Sequence, residues 1–177
     1  FYISIRLYNV IGIFCIFNNF NNYLMNFPIL SSLILLHLIG SVFIFFNKSS
    51  EKNRAIKYVS IFITFSNFLL SLYLWYIFDK SISDFQFIED REWISGLINY
   101  KVGIDGISIL FVVLTAFITP LCVISVISTI KYRLKDFLIA ILIMESLMIG
   151  VFCSLDLVVF YLFFEGVLIP MFLIIGI

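Results

Sequence analysis

Uncharged stretches of about 20 residues recur along the chain between short polar clusters, a spacing that predicts membrane-crossing helices. Five such runs lie at Phe27–Phe46, Tyr58–Phe78, Ile107–Ile130, Phe137–Ser154 and Leu157–Ile177. The fourth is the shortest and carries Glu145 inside it. All are too long and unbroken for barrel strands, which need only about 9–11 residues each. Residues 1–26 have a different pattern: Arg6 and the cluster Asn18, Asn19, Asn21 and Asn22 flank a short apolar piece, Val10–Phe17. That piece suits an interface better than a span. The expected architecture is an all-α membrane protein of about five transmembrane helices. An amino-terminal extension occupies 1–26, and the bundle at 27–177 includes an acidic outer loop at 79–106.

Loop charges orient the bundle. Lys48, Lys52, Arg54 and Lys57 lie between the first two runs, and Lys131, Arg133 and Lys135 between the third and fourth. The 79–106 loop instead holds Asp79, Asp84, Glu89, Asp90, Glu92 and Asp105 against Lys80, Arg91 and Lys101. Basic loops stay on the cytoplasmic or matrix side, so the acidic loop belongs outside. Within the second run, Ser60, Thr64, Asn67 and Ser71 fall on one helical face; Thr115, Thr119 and Cys122 do the same on the third. In lipid such stripes mark helix–helix contacts, with a water path as the alternative.

Composition agrees with a lipid setting. The 177 residues are 63% hydrophobic and 12% charged, including Phe 22 and Tyr 9, where a soluble domain would be about 25% charged. Net charge is +0, which leaves no basic surface for nucleic acid. Cys15, Cys122 and Cys153 are scattered without metal-ligand spacing and read as packing residues. No glycine-rich nucleotide loop, zinc motif or Ser/His/Asp arrangement is present, so no cofactor or metal is expected.

The chemistry must therefore come from ionisable groups inside the spans, which are costly and usually functional. Glu145 and Glu165 each lie ten residues from the turn near Leu155, about 15 Å along antiparallel helices, so both reach a similar mid-membrane depth. A carboxyl there can load and release a proton, or can merely join two helices through a hydrogen bond. Pro170 cannot bond back to the Gly166 carbonyl, and Gly166 leaves room for water beside Glu165. His37, midway along the first run, is a shuttle or a packed imidazole. Asp105 and Asp156, at the outer ends of the third and fifth helices, are read as caps, with proton entry or exit as the alternative.

Two stretches carry a family resemblance: YKVGIDGISILFVVLTAFITPLC, and FLIAILIMESLMIGVFCSLDLVVFYLFFEGVLIPMFLIIG. They resemble NADH dehydrogenase subunit 4, an antiporter-like membrane subunit of respiratory complex I. The match runs from about Phe27 and is dense from Gly103 onward. It implies a proton-translocating role in the mitochondrial inner membrane, within a longer bundle of two inverted five-helix repeats. It also implies that Glu165 is the fifth-helix glutamate that works with lysines on later helices. Asp105 and Asp156 fall on the family's GIDG and DL positions, and Glu145 on a carboxylate that many members share.

No lysine lies inside the five runs. The chain is accordingly expected to be the amino-terminal piece of a split subunit. Its expected partners are a complementary carboxy-terminal fragment, other membrane-arm subunits of complex I, and lipid. Electron carriers would sit elsewhere in the assembly. The competing readings are a cation/proton antiporter subunit of the same superfamily and a non-pumping structural remnant.

Overall fold

A computed structural model describes residues 28–46, 54–82, 84–94, 98–130 and 132–176. The expected extension at 1–26, Cys15, the loop lysines Lys48, Lys52 and Lys131, and the terminal Ile177 lie outside the described residues. Among the described residues, five helices are long and apolar enough to cross a membrane: α1 (Ile29–Phe46), α2 (Arg54–Ile77), α3 (Ser108–Thr129), α4 (Leu134–Cys153) and α5 (Leu157–Gly176). The all-α membrane class therefore holds. Helices α2 and α4 begin earlier than their uncharged runs, however, so Arg54 and Lys57 enter α2 and Lys135 and Asp136 enter α4. Helical hydrogen bonding does not stop where hydrocarbon does, and charged first turns extend beyond it.

The acidic loop is not irregular. Gln86–Ile94 (β1) and Ile98–Ile104 (β2) pair as an antiparallel hairpin. Its register is irregular between Gln86 and Glu89, where Phe87 takes a left-handed φ of 54°, the bend a bulge imposes on a strand. The hairpin is tied to the α4–α5 turn by a bridge between Val102 and Ser154 and by Leu155 N donating to Lys101 O at 3.0 Å. At the other end of the bundle, Lys135 Nζ donates to Phe45 O at 2.9 Å, capping the last turn of α1.

Helix α4 is the central element, packing against α1, α3 and α5, and more slightly against α2. Lipid tails are as apolar as leucine, so burial alone does not draw these helices together; close packing and polar contacts must. Two glycines permit the approach. A Cβ at Gly40 would lie 2.6 Å from Ile63 Cδ1, and one at Gly150 would lie 2.8 Å from the Phe163 ring. The core has two apolar layers. One, near the hairpin, includes Leu30, Leu33, Leu74, Ile109 and Ile149; the other, near the basic end, includes Ile44, Ile56, Val123, Leu138 and Leu142. Helix α5 lies at the margin, and among its described residues only Val159 and Pro170 are buried.

Candidate functional site

Between the two apolar layers sits a polar one. The hydroxyls of the α2 stripe satisfy themselves on their own helix: Ser60 Oγ donates to Lys57 O at 3.0 Å, Thr64 Oγ1 to Ser60 O at 3.0 Å and Ser71 Oγ to Phe68 O at 2.8 Å. Asn67, in the same stripe and fully buried, reaches across instead. Its Nδ2 lies 2.9 Å from Nδ1 of His37 on α1, and the imidazole's Nε2 lies 2.6 Å from Oε2 of Glu145 on α4. His37 is 0% and Glu145 2% exposed. The imidazole–carboxyl approach is close but oblique, falling short of an aligned hydrogen bond. Thr119 of α3 and Asn67 also border the carboxyl. Four helices thus converge on one buried acid–imidazole pair. Ser146, the residue after Glu145, fixes the α1–α4 seam by donating to Ile34 O at 2.8 Å.

Glu165 is placed quite differently. It lies at a depth matching Glu145, but on the exposed face of α5, where Tyr161 Oη donates to its Oε1 at 3.2 Å. The two glutamates therefore do not share a contact: α4 turns Glu145 inward and α5 turns Glu165 outward. Beside Gly166, where the sequence suggests room for water, a Cβ would meet Leu147 of α4 at 3.4 Å, an ordinary contact, so this face of α5 has space for a methyl group. Pro170 is buried, and α5 runs through it without a break, as α3 runs through Pro120. Cys122 of the α3 stripe is exposed, while Cys153 is buried, both as free thiols.

The two helix-end aspartates have cap geometry. Asp105 Oδ1 accepts from Ser108 N at 2.6 Å, and Asp156 Oδ1 accepts from Val158 N at 2.8 Å and Val159 N at 3.3 Å. Those hydrogen bonds from Ser108 hold the Asp105 carboxyl below the usual range.

The hairpin adds a carboxylate that sequence reasoning counted only as loop charge. Glu89 accepts from Leu30 N at 2.9 Å and from Ser31 N at 3.3 Å, and also takes the Ser31 hydroxyl hydrogen. It is thus the anion at the α1 N-terminus, the positive end of that helix dipole. Tyr100 Oη lies 3.3 Å from Ser31 Oγ; burial, and next to it the Glu89 charge, push its phenol up despite the Ser31 contact.

The chain as a whole has relatives among known proteins. The chain is 47% identical over 149 residues to NADH-ubiquinone oxidoreductase chain 4 of Marchantia polymorpha, covering 84% of this chain and 30% of that protein. It is 55% identical over 125 residues to NADH-quinone oxidoreductase subunit M of Rhodobacter capsulatus, covering 71% of this chain and 24% of the relative. Over these residues the chain is homologous to the chain 4/subunit M family. No family model matches. The chain 4/subunit M likeness extends to structure: a chain of respiratory complex I from Thermus thermophilus, solved with bound NADH, superposes with a TM-score of 0.66 at 26% identity. That superposition covers 81% of this chain and 28% of the other. The chain spans about 30% of the length of the curated chain 4 relatives it matches.

Asn67 and Glu89 are the residues that sequence reading left without a role at a site. Asn67 carried a usable signal: it is the one carboxamide in a stripe of hydroxyls. Its side chain cannot fold back on its own helix as easily as Ser or Thr. Glu89 carried none, since its partner is a helix end 58 residues away.

Proposed function

We propose that the chain is part of a proton-translocating membrane-arm subunit of NADH:ubiquinone oxidoreductase, a multi-pass protein of the mitochondrial inner membrane. In this reading Glu165 exchanges protons with the help of lysines on a partner chain, and Glu145 passes protons within the bundle. The observation that carries it is the position of Glu165: a mid-helix carboxyl on a face of α5 that the described residues leave uncovered, in a chain homologous to chain 4 and subunit M. A carboxylate facing lipid at that depth would cost roughly 2.5–3.5 kcal/mol or more. A protein neighbour that supplies a cation and water removes that cost. Bringing an ammonium to about 4 Å changes the carboxylate's energy by roughly 4 kcal/mol at an effective dielectric of about 20. That is close to three decades of proton occupancy, since each decade takes about 1.4 kcal/mol. Approach and withdrawal of such a lysine would therefore be enough to unload and reload the acid.

Glu165→Gln in the assembled complex tests the reading. NADH oxidation should continue with the number of protons moved per electron clearly reduced, measured in sealed vesicles. Full pumping in an assembled Glu165→Gln complex would instead mark the chain as a scaffold.

A further inference from the structure

The three side chains at the bundle centre do more than place a second acid near mid-membrane. Asn67 Nδ2 is a donor, so Nδ1 of His37 facing it is an acceptor and bears no hydrogen. The neutral ring then carries its hydrogen on Nε2, the nitrogen that lies 2.6 Å from Oε2 of Glu145 and meets it obliquely. In this arrangement the buried Oδ1 of Asn67 has no hydrogen-bond partner, nor has either Glu145 oxygen an aligned one. Buried polar atoms without partners are rare and call for a physical explanation.

We infer that His37 and Glu145 hold one exchangeable proton between them, and that Asn67 is the positioning residue whose carboxamide turns over when that proton arrives. The inference rests on the proton-relaying role proposed above and adds a mechanism to it. Adding one proton to the pair gives either imidazolium beside carboxylate or, after Nε2–H passes to Oε2, neutral imidazole beside carboxylic acid. Both forms carry a hydrogen on Nδ1. Nδ1–H then meets the amide –NH2 donor to donor, which is repulsive. A half-turn of the Asn67 carboxamide presents Oδ1 as the acceptor and restores the bond. One proton enters and bonds to Nδ1; in the carboxylic-acid form the Nε2–H bond is also exchanged for an Oε2–H bond, and in either form a side chain of α2 records the event. The same proton placed on Glu145 Oε1 would leave Nδ1 bare and Asn67 still, so the two placements are experimentally distinct.

Infrared difference spectroscopy of the assembled complex in its native membrane, taken during NADH-driven turnover, reads these groups directly. A protonated-carboxyl band should vanish in Glu145→Gln and shift or vanish in His37→Gln. In Asn67→Leu, proton uptake by the pair should weaken about tenfold or more, as expected when a buried donor loses its acceptor. Asn67→Ser should recover much of the effect, because a hydroxyl can donate or accept. A Glu145 band indifferent to both His37→Gln and Asn67→Leu overturns the inference. The unsubstituted complex gives an independent readout if Asn67→Leu does not assemble. With isotope-labelled histidine, the bands of His37 should alternate between Nε2–H and Nδ1–H forms, and constancy through turnover overturns the inference. If Glu165→Gln loses pumping while the His37 and Asn67 variants match the unsubstituted protein, this inference fails alone. Full pumping in Glu165→Gln with the band changes intact defeats the proposed function and leaves the shared proton standing.

Discussion

Asp105 shows how one side chain does local work at the end of a helix. It accepts the Ser108 amide hydrogen at 2.6 Å, so the ionised form is favoured in the folded protein. A depressed folded-state pKa contributes stability that is present above the ordinary aspartate value near about 3.9 and is lost as pH falls through the lowered one. Asp105→Ala should therefore cost about 1 kcal/mol at neutral pH, the usual worth of such a cap. The gap in thermal midpoint between variant and parent should narrow as pH drops below about 4. A gap that is constant with pH would assign the effect to lost packing. Asp105 and Asp156 were legible as caps because a carboxylate in the first turn has a local partner. His37, Asn67 and Glu145 were visible only one at a time, since their partners are 30 or more residues apart in the chain.

The elements owe their arrangement to contacts of that long-range kind. Glu89 of β1 holds the first turn of α1, the helix that carries His37. Glu89→Ala should cost about 1–2 kcal/mol, combining a lost cap with a lost dipole interaction. Amide exchange at Leu30 and Ser31 should rise, with the centre of α1 unaffected. The α4–α5 seam makes a paired prediction. Gly150→Ala drives a methyl to within 2.8 Å of the Phe163 ring and should cost about 1–3 kcal/mol through overpacking. Gly166→Ala, with Leu147 at 3.4 Å, should be close to neutral. Thermal midpoints of the two variants check this, and a large loss in Gly166→Ala would show α4 and α5 to be as tightly apposed there as at Gly150. The hairpin was hidden among charges, although QFIEDREWI and INYKVGI are rich in strand-forming aromatic and β-branched residues and are separated in the sequence by a short stretch that contains a glycine.

Across the whole molecule, the hairpin gathers at one end, with the N-terminus of α1 and the α4–α5 turn. The start of α4 and the last turn of α1 meet at the other through Lys135. Combined with the charge bias of the loops, this predicts sidedness. A cysteine placed at Ser81 should label from outside, and one at Tyr132 only from the opposite side, with a membrane-impermeant reagent on intact membranes. Both positions labelling from the same side would contradict the five-span path.

Span number, helical class and family were determined by the sequence itself. A hydrocarbon layer of fixed thickness turns composition directly into length, and the motifs from Gly103 onward are local strings. Only tertiary structure decided which acid faces inward. Glu145 and Glu165 lie at equal depth on adjacent helices, and nothing in either helix's own sequence sets its rotation about its axis. That rotation follows from how α4 is wedged among its neighbours, through Gly150 against Phe163 and Ser146 against Ile34. The same wedging brings His37 and Asn67 to one carboxyl and leaves the other on the open face of α5.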